Sequence, residues 1–398
     1  MTAVFVVGTG DTKMRELEYM AEIIRATGVQ ARIVDVGTTG HESTADVTPT
    51  EVAAYHPDGP EAVQSDDRGT AVDEMSKALV AYISDHVDDI SGIIGAGGSG
   101  GTALVTPAMR ALPVGVGKVM VSTVASGNVA PYVGPADIAM MYSVTDVSGI
   151  NKISREVLGN AAHAVAGMAK WVVPKGEADK PAIGLTMFGV TTPLVTRLAS
   201  MLEDEYDPLV FHATGTGGRS MEKLVGSGMI GAVLDMTTTE IADLHVGGVF
   251  PALSDRIDVI AETGVPYVGS VGACDMVNWG ARDTVPPEFD NRTLHVHNSE
   301  VTLMRTTVEE NTAIGAFIAE KLNTCDGPVR FLLPTGGVSM IDAPGQPFHD
   351  PEADEALFAA IEAGVEQTAD RKVERVDAHI NDDTFGDAVL AAFREITT

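Results

Sequence analysis

The sequence predicts an α/β protein of two parallel-sheet domains related by internal duplication. Three observations carry this reading. Apolar runs ending in glycine, serine or threonine recur at matching points of the two halves. Helical periodicity fills the intervals between them. The 398 residues also exceed what one typical core accommodates. The copies align as VFVVGTG (4–10) with IGLTMFG (183–189), and ARIVDVGTTG (31–40) with PLVFHATGTGG (208–218). SGIIGAGGSGG (91–101) then matches IGAVLDMTTTE (230–240), and LPVGVGKVMVSTV (112–124) matches GVPYVGSVGACDMV (264–277). Strands alternating with helices at this spacing call for parallel sheets covered on both faces. Ligands of such sheets sit at the carboxyl ends of the strands.

Each element follows from its local pattern. After the first strand, Met14, Leu17, Met20 or Ala21, and Ile24 recur at helical spacing, and Gly28 stops the helix. Residues 41–70 carry prolines and acids without apolar periodicity and read as an insertion. Gly8 to Gly189 spans 181 residues (189 − 8), whereas Gly92 to Gly231 spans 139 (231 − 92), so the first copy holds extra chain between its second and third strands. A helix at 71–87 leads into the third strand. The last helix of the first copy, ending near Trp171, has its counterpart at 306–322. VPKGEADKP (173–181) reads as the linker, which divides the chain into an N-terminal domain, 1–178, and a C-terminal domain, 179–398. Beyond residue 328 the second copy carries a βαβα extension: a strand at 329–337, a helix near 352–367, a strand at 372–380 and a closing helix.

Composition sets limits. The chain is 44% hydrophobic but only 5% aromatic, which describes an Ala/Val/Gly-rich soluble α/β protein. Its longest apolar runs, such as AAHAVAGMA (161–169), fall short of the roughly 20 residues that span a bilayer. With 56 acidic against 26 basic residues the formal charge is −30, which argues against a nucleic-acid surface. Spread over helices and loops, the acid suits a solvated, self-repelling, halophilic surface. Cys274 and Cys325 form no disulfide framework, and the chain opens on a strand rather than a leader, so the expected compartment is the cytoplasm.

The loops carry the functional reading. A strand that passes directly into a helix presents a row of backbone N–H groups that suits phosphate or carboxylate. GTGDTK supplies Gly8, Thr9, Gly10, Asp11, Thr12 and Lys13, with Asp11 or Thr12 expected at the helix N-cap. Lys13 would then lie at the positive end of a helix, which is unfavourable unless a bound phosphate reverses the sign. GIIGAGGSGGT has Gly95, Gly97 and Gly100 in GxGxxG spacing. It follows a third strand, however, and no strand-ending acid lies about twenty residues on to hold a ribose, so a dinucleotide site is not expected. No GxxxxGK[ST] loop is present. A generic cradle from the amides of Gly97, Gly98, Ser99, Gly100 and Gly101 and the hydroxyls of Ser99 and Thr102 fits instead. The competing reading is a turn that needs glycine only for packing. Gly37, Thr38 and Ser122, at the ends of the second and fourth strands, complete the expected nucleotide-binding set.

The second copy offers Thr191, Thr192, Gly215, Gly217, Gly218, Arg219, Thr237, Thr238 and Arg305 as a second anion site, expected to take a small anionic metabolite. Arg219 also suits pairing with Glu222. His212, Arg219, Asp235, Glu240 and Asp275 are the candidates for any catalytic role. Asp235, Glu240, Asp243 and His245 are metal-ligand types, but their spacing turns them to different faces, so no metal site is expected. Cys274 reads as a small buried residue.

Read together, GTGDTK, GGSGGT, SVTDVSGIN, FGVTTP, FHATGTGGRSME, LDMTTTE, GACDMVNWG, TLMRTT and LLPTGG resemble the Tm-1-like ATP-binding family, also called UPF0261, over essentially the whole chain. The resemblance implies two Rossmann-like domains, binding of ATP with or without Mg²⁺, and a homodimer. Two other classes stay open. One is an enzyme acting across the interdomain cleft by phosphoryl transfer or hydrolysis of a small carboxylated substrate. The other is a nucleotide-stabilised dimeric binding or inhibitory module.

Overall fold

A computed structural model describes residues 2–65, 67–173 and 180–397. The chain divides into two compact units, 1–175 and 176–398. Most of the expected linker lies outside the described residues.

The first unit runs β1 (Ala3–Gly8), α1 (Gly10–Ala26), β2 (Ala31–Asp35), α2 (Pro49–Ala53), α3 (Arg68–Asp85), β3 (Ile90–Gly97) and α4 (Ser99–Ala111). It closes with β4 (Gly117–Ser122), α5 (Ala130–Val133), β5 (Ala139–Tyr142) and α6 (Lys152–Lys170). Its five strands are all parallel, in the order β2-β1-β3-β4-β5. The two-residue period of β1 explains how one strand serves two cores. Val4 and Val6 pack with Leu17, Met20 and Leu158 of α1 and α6 on one face. Phe5 and Val7 pack with Leu79, Leu104 and Met109 of α3 and α4 on the other. The inserted stretch is not wholly irregular, since Val47 bridges Val34 in parallel and extends the β2 edge. A capping box at Thr48 and Glu51, followed by Pro49, starts α2.

The second unit runs β6 (Ala182–Met187), α7 (Thr192–Leu202), β7 (Asp207–His212), α8 (Thr216–Gly226), β8 (Ala232–Thr237), α9 (Thr239–Val246), α10 (Asp258–Thr263) and β9 (Tyr267–Gly272). There follow β10 (Met276–Trp279), β11 (Leu294–Val296), β12 (Thr302–Arg305), α11 (Val308–Asn323), β13 (Val329–Pro334), α12 (Pro351–Gly364), β14 (Arg371–Val376) and α13 (Asp383–Thr397). The main sheet is parallel, in the order β14-β13-β9-β8-β6-β7. Its β7-β6-β8-β9 portion repeats β2-β1-β3-β4, so the duplication is visible in strand order. In each copy the order reverses beside the first strand, between β1 and β3 and between β6 and β8. That is where such sheets open a crevice.

The structure corrects one expected strand. The run 264–277 divides at Ala273, whose φ is +57°, so β9 stays in the parallel sheet while β10 leaves it. Strand β10 joins a three-stranded antiparallel sheet, β10-β12-β11, with no counterpart among the described residues of the first copy. The break is held by the Ala273 amide, which donates to Val338 O at 3.0 Å.

Candidate functional site

In the first unit, the loops after β1 and β3 meet at a cleft of about 750 Å³. Thr9, Thr12 and Lys13 line one side, and Gly98, Ser99, Gly100 and Gly101 line another. Arg68, at the start of α3, and Tyr132 and Asp146 also face it. The volume lies within the usual range for small-molecule sites.

Helix α4 opens at Ser99 with Gly98 as N-cap and no side-chain cap, and the first-turn amides of an α-helix have no intrahelical acceptor. The glycines here are informative because the protein itself does not require them. Gly98 has φ −81°, and a Cβ there would meet nothing closer than Thr123 Oγ1 at 3.7 Å. A Cβ on Gly100 would meet nothing within 4 Å, and one on Gly101 only Ala96 O at 3.9 Å. Only Gly97 is tight, 3.2 Å from Gly101 Cα. Bare backbone therefore faces the cleft without a packing reason at three of the four positions.

Thr102 and Ser122 are fully buried, and their hydroxyls bond each other at 2.6 Å while Thr102 Oγ1 also donates to Gly98 O at 2.7 Å. These side chains tie the glycine loop to β4 from beneath. The expected cap also moves. Thr9, not Asp11 or Thr12, is the N-cap of α1, and Lys13 is non-helical at φ −135°, ψ 17°. Its Nζ donates to the Val147 carbonyl, which leaves the remaining ammonium protons at the wall of the cleft. The Arg68 side chain makes no ion pair or hydrogen bond among the described residues, and it is exposed.

Asp35, at the end of β2, is the residue that spacing arguments missed. Fully buried, its carboxylate accepts the Gly10 amide at 2.7 Å, the Gly37 amide at 2.8 Å and the Ser43 hydroxyl at 2.6 Å, and bonds His41 Nε2 at 2.7 Å. Gly10 and Gly37 are glycine for this reason: a Cβ on Gly10 would lie 2.3 Å from Asp35 Oδ2, and one on Gly37 2.6 Å from His41. Their amides thus serve an internal carboxylate. Gly37 and Thr38 line a separate hollow of about 530 Å³ walled by the inserted segment. Gly8 lies inside β1, where a Cβ would press on Leu17. Asp11 retains a buried carboxylate oxygen without a hydrogen-bond partner.

The second copy is built differently. Where α4 begins Ser-Gly-Gly, α9 begins Thr239-Glu240, and the Glu240 carboxylate accepts the amides of Gly215 (2.7 Å) and Gly218 (3.1 Å). Glu240 also faces Arg256 Nε at 3.4 Å. Arg256 is 1% exposed and pairs with Glu222 at 2.7 Å and with both oxygens of Asp235 at 2.7 and 2.9 Å. Thr186 and Tyr267 hydroxyls complete Asp235. Burial would pull the Arg256 proton off, but three carboxylates hold its pKa well above the ordinary value, while burial raises Glu222 and Glu240. Asp235 and Glu240 therefore converge on one guanidinium, against the expectation that their spacing separates them. The residues expected to form an anion site do not converge on one place. Thr191 bonds Thr237 at 2.8 Å in a buried row, and Thr238 bonds Ser270 O and Cys274 Sγ. Thr192 donates to Phe188 O. Gly217 lies against His212, with Cβ space of only 1.8 Å. Arg305 is committed to Asp354 at 2.6 Å and to the Phe348 carbonyl at 2.7 Å. Glu222 is taken by Arg256, so Arg219 does not pair with it, and Arg219 makes no ion pair among the described residues. His212 packs against Phe188 with the rings tilted, 5.2 Å between ring centroids, over an apolar hollow of about 210 Å³. Burial pushes the Cys274 thiol up to about 12.

These features define a duplicated α/β protein in which one glycine-lined crevice stays open and its counterpart is closed by internal carboxylates. Comparison with known proteins places it. The N-terminal domain of the uncharacterised protein family UPF0261 matches residues 2–174, and the C-terminal domain of the same family matches residues 180–397, so the chain belongs to this family. It is 53% identical over 397 residues to a UPF0261 protein of Rhizobium meliloti, covering all of this chain and 99% of the relative. A UPF0261 protein of Clostridium tetani is 46% identical, over 97% of this chain and 96% of the relative. The tomato (Solanum lycopersicum) ToMV resistance protein Tm-1(GCR237) is 45% identical over 99% of this chain, which spans 56% of that longer protein. No helix among the described residues is long and apolar enough to cross a membrane.

Proposed function

We propose that the protein binds a nucleotide, ATP in the first instance, with its phosphates over the amino end of α4 in the N-terminal crevice. The observation that carries this is the open Cβ space at Gly98 and Gly100. Glycine unneeded for packing, at a helix start that lines a large cleft, is what close approach of a phosphate requires. Lys13 and Arg68 supply positive charge at the same cleft of a chain whose formal charge is −30. A nucleotide with Mg²⁺ adds a cation of its own, for which Asp73 and Asp146 are the cleft-lining carboxylates to test. Asp35 is excluded from ribose binding because four donors already surround it.

The reading assigns the C-terminal domain no second phosphate site, since Glu240 holds the amides that such a site would use. The homodimer implied by family resemblance belongs to the same proposal, and light scattering with and without nucleotide measures it. Isothermal titration of the whole chain with ATP, with and without Mg²⁺, tests the binding. Saturable heat and a raised Tm are expected. No heat and no shift with any nucleoside triphosphate would overturn it.

A further inference from the structure

The C-terminal domain buries three carboxyls around one guanidinium, outside the site proposed above. Asp275 follows β9, Asp342 lies in the 338–350 segment, Asp354 belongs to α12, and Arg305 ends β12. Arg305 Nη2 is 2.6 Å from Asp354 Oδ1 and 3.7 Å from Asp342 Oδ1. Asp275 and Asp342 are fully buried, and each keeps one carboxylate oxygen, Oδ1, with no hydrogen-bond donor. Asp342 and Asp354 approach the same nitrogen, Arg305 Nη2, so each carboxyl is the other's neighbour. Two facing carboxylates beside one cation cannot both ionise cheaply in a buried site.

We propose that Asp342 and Asp354 share a proton beside Arg305, and that this proton latches the 338–350 segment onto α12 and β12. Arg305 already pins the segment through the carbonyls of Phe348, at 2.7 Å, and Asp350, at 3.2 Å. Ser339 adds a hydroxyl bond to Asp275 at 2.7 Å, and its carbonyl bonds His379 Nε2 at 2.8 Å. The same segment and α12 wall a pocket of about 200 Å³ at the carboxyl end of β13, lined by Gly336, Gly337, Pro344, His349, Asp354 and Glu355. Removing the shared proton places like charges on opposite walls, one on the segment and one on the helix, and the walls separate.

The charges facing the pair are Arg305 from β12 and Asp275 from the β9–β10 turn, with Glu355 and His349 at the pocket and the Cys274 thiol behind Asp275. Arg305 is the sole close cation among these. Burial raises all three aspartates, Asp342 to about 6, Asp275 to about 7 and Asp354 to about 8. The latch is therefore closed at neutral pH and opens in mild alkali.

Two measurements on the full chain test it. Infrared difference spectra should show a protonated-carboxyl C=O band at pH 7 that fades by pH 9.5 and is lost in Asp354→Asn. Amide hydrogen-exchange protection in 338–350, corrected for intrinsic rates, should fall about tenfold over that range, the equivalent of one hydrogen bond. Asp354→Asn, whose amide donates at every pH, should keep protection constant, and Asp342→Asn provides the independent check if the first variant folds poorly. The absence of a carboxyl band in the unmodified protein, or a fall in protection with pH in both variants equal to that of the unmodified protein, would overturn the latch.

Discussion

The Glu240 carboxylate accepts the Gly215 amide at 2.7 Å, so the second copy fills from within the loop that its sequence seemed to offer to a ligand. The first copy has glycine at the corresponding helix start, Gly100 and Gly101, and a Cβ there would meet nothing closer than 3.9 Å. A carboxylate at the helix start of one copy, where the other has glycine, thus accompanies the difference between a crevice that already holds its own acceptor and one that can take an anion.

Glu240→Ala should cost about 3–5 kcal/mol, the range for breaking a buried, fully bonded ion pair. Arg256 Nε and two loop amides lose their acceptor together. Denaturant unfolding measures the loss. Nucleotide affinity should stay at the wild-type value, and a parallel collapse of affinity would move the nucleotide into the second domain.

Glycine replacements should divide by copy. Gly100→Ala should leave stability unchanged or raise it by up to about 0.5–1 kcal/mol, because alanine is favoured over glycine in a helix. It should weaken nucleotide binding nonetheless. Gly217→Ala places a Cβ 1.8 Å from His212 O and should destabilise by about 1–3 kcal/mol or prevent folding. Thermal melts paired with titration distinguish the two, and equal affinities for Gly100→Ala and wild type would argue against the cradle.

Lys13→Ala and Arg68→Ala should each weaken nucleotide binding by about 1–3 kcal/mol, the worth of a charge-assisted contact. Added salt should narrow the difference. Lys13 also bonds the Val147 carbonyl, so its melt is needed as a control, whereas exposed Arg68 should unfold like wild type. Titration in low and high salt is the measurement.

Asp243 makes the C-terminal domain sensitive to pH. Burial raises its carboxyl to about 7, against opposing hydrogen bonds from the Asn278 and Phe250 amides. A folded pKa above the unfolded one means the folded state holds the longer-kept proton. Its stabilising contribution is complete below about pH 4 and is lost as pH rises through about 7. Asp243→Asn should remove up to one proton, about 1.4 kcal/mol per pH unit, from the slope of unfolding free energy between those limits. Urea titrations at intervals from pH 4.5 to 8 give that slope, and parallel curves would refute the assignment.

Much of the architecture was legible in the sequence. The alternation of Val4 and Val6 with Phe5 and Val7 already assigns β1 to two cores, and the recurrence of such runs announces two parallel sheets. The glycine loop at 97–101 was legible too, because a strand that breaks directly into a helix has few alternatives. The split of 264–277 into β9 and β10 was not, because an apolar run carries no mark of which sheet its second half joins. Residue Ala273 at positive φ decides it, held by a bond to Val338, sixty-five residues on.

The sequence by itself determined the fold class, the duplication and the positions of the loops, since these follow from local periodicity and chain punctuation. Tertiary structure alone decided which loops are free. Asp35 spends its carboxylate on Gly10 and Gly37, Glu240 spends its own on Gly215 and Gly218, and Gly98 and Gly100 face open space. A backbone amide offers the same donor to a ligand or to a side chain. Which one receives it depends on what the folded chain brings within 3 Å, and residue spacing does not carry that distance.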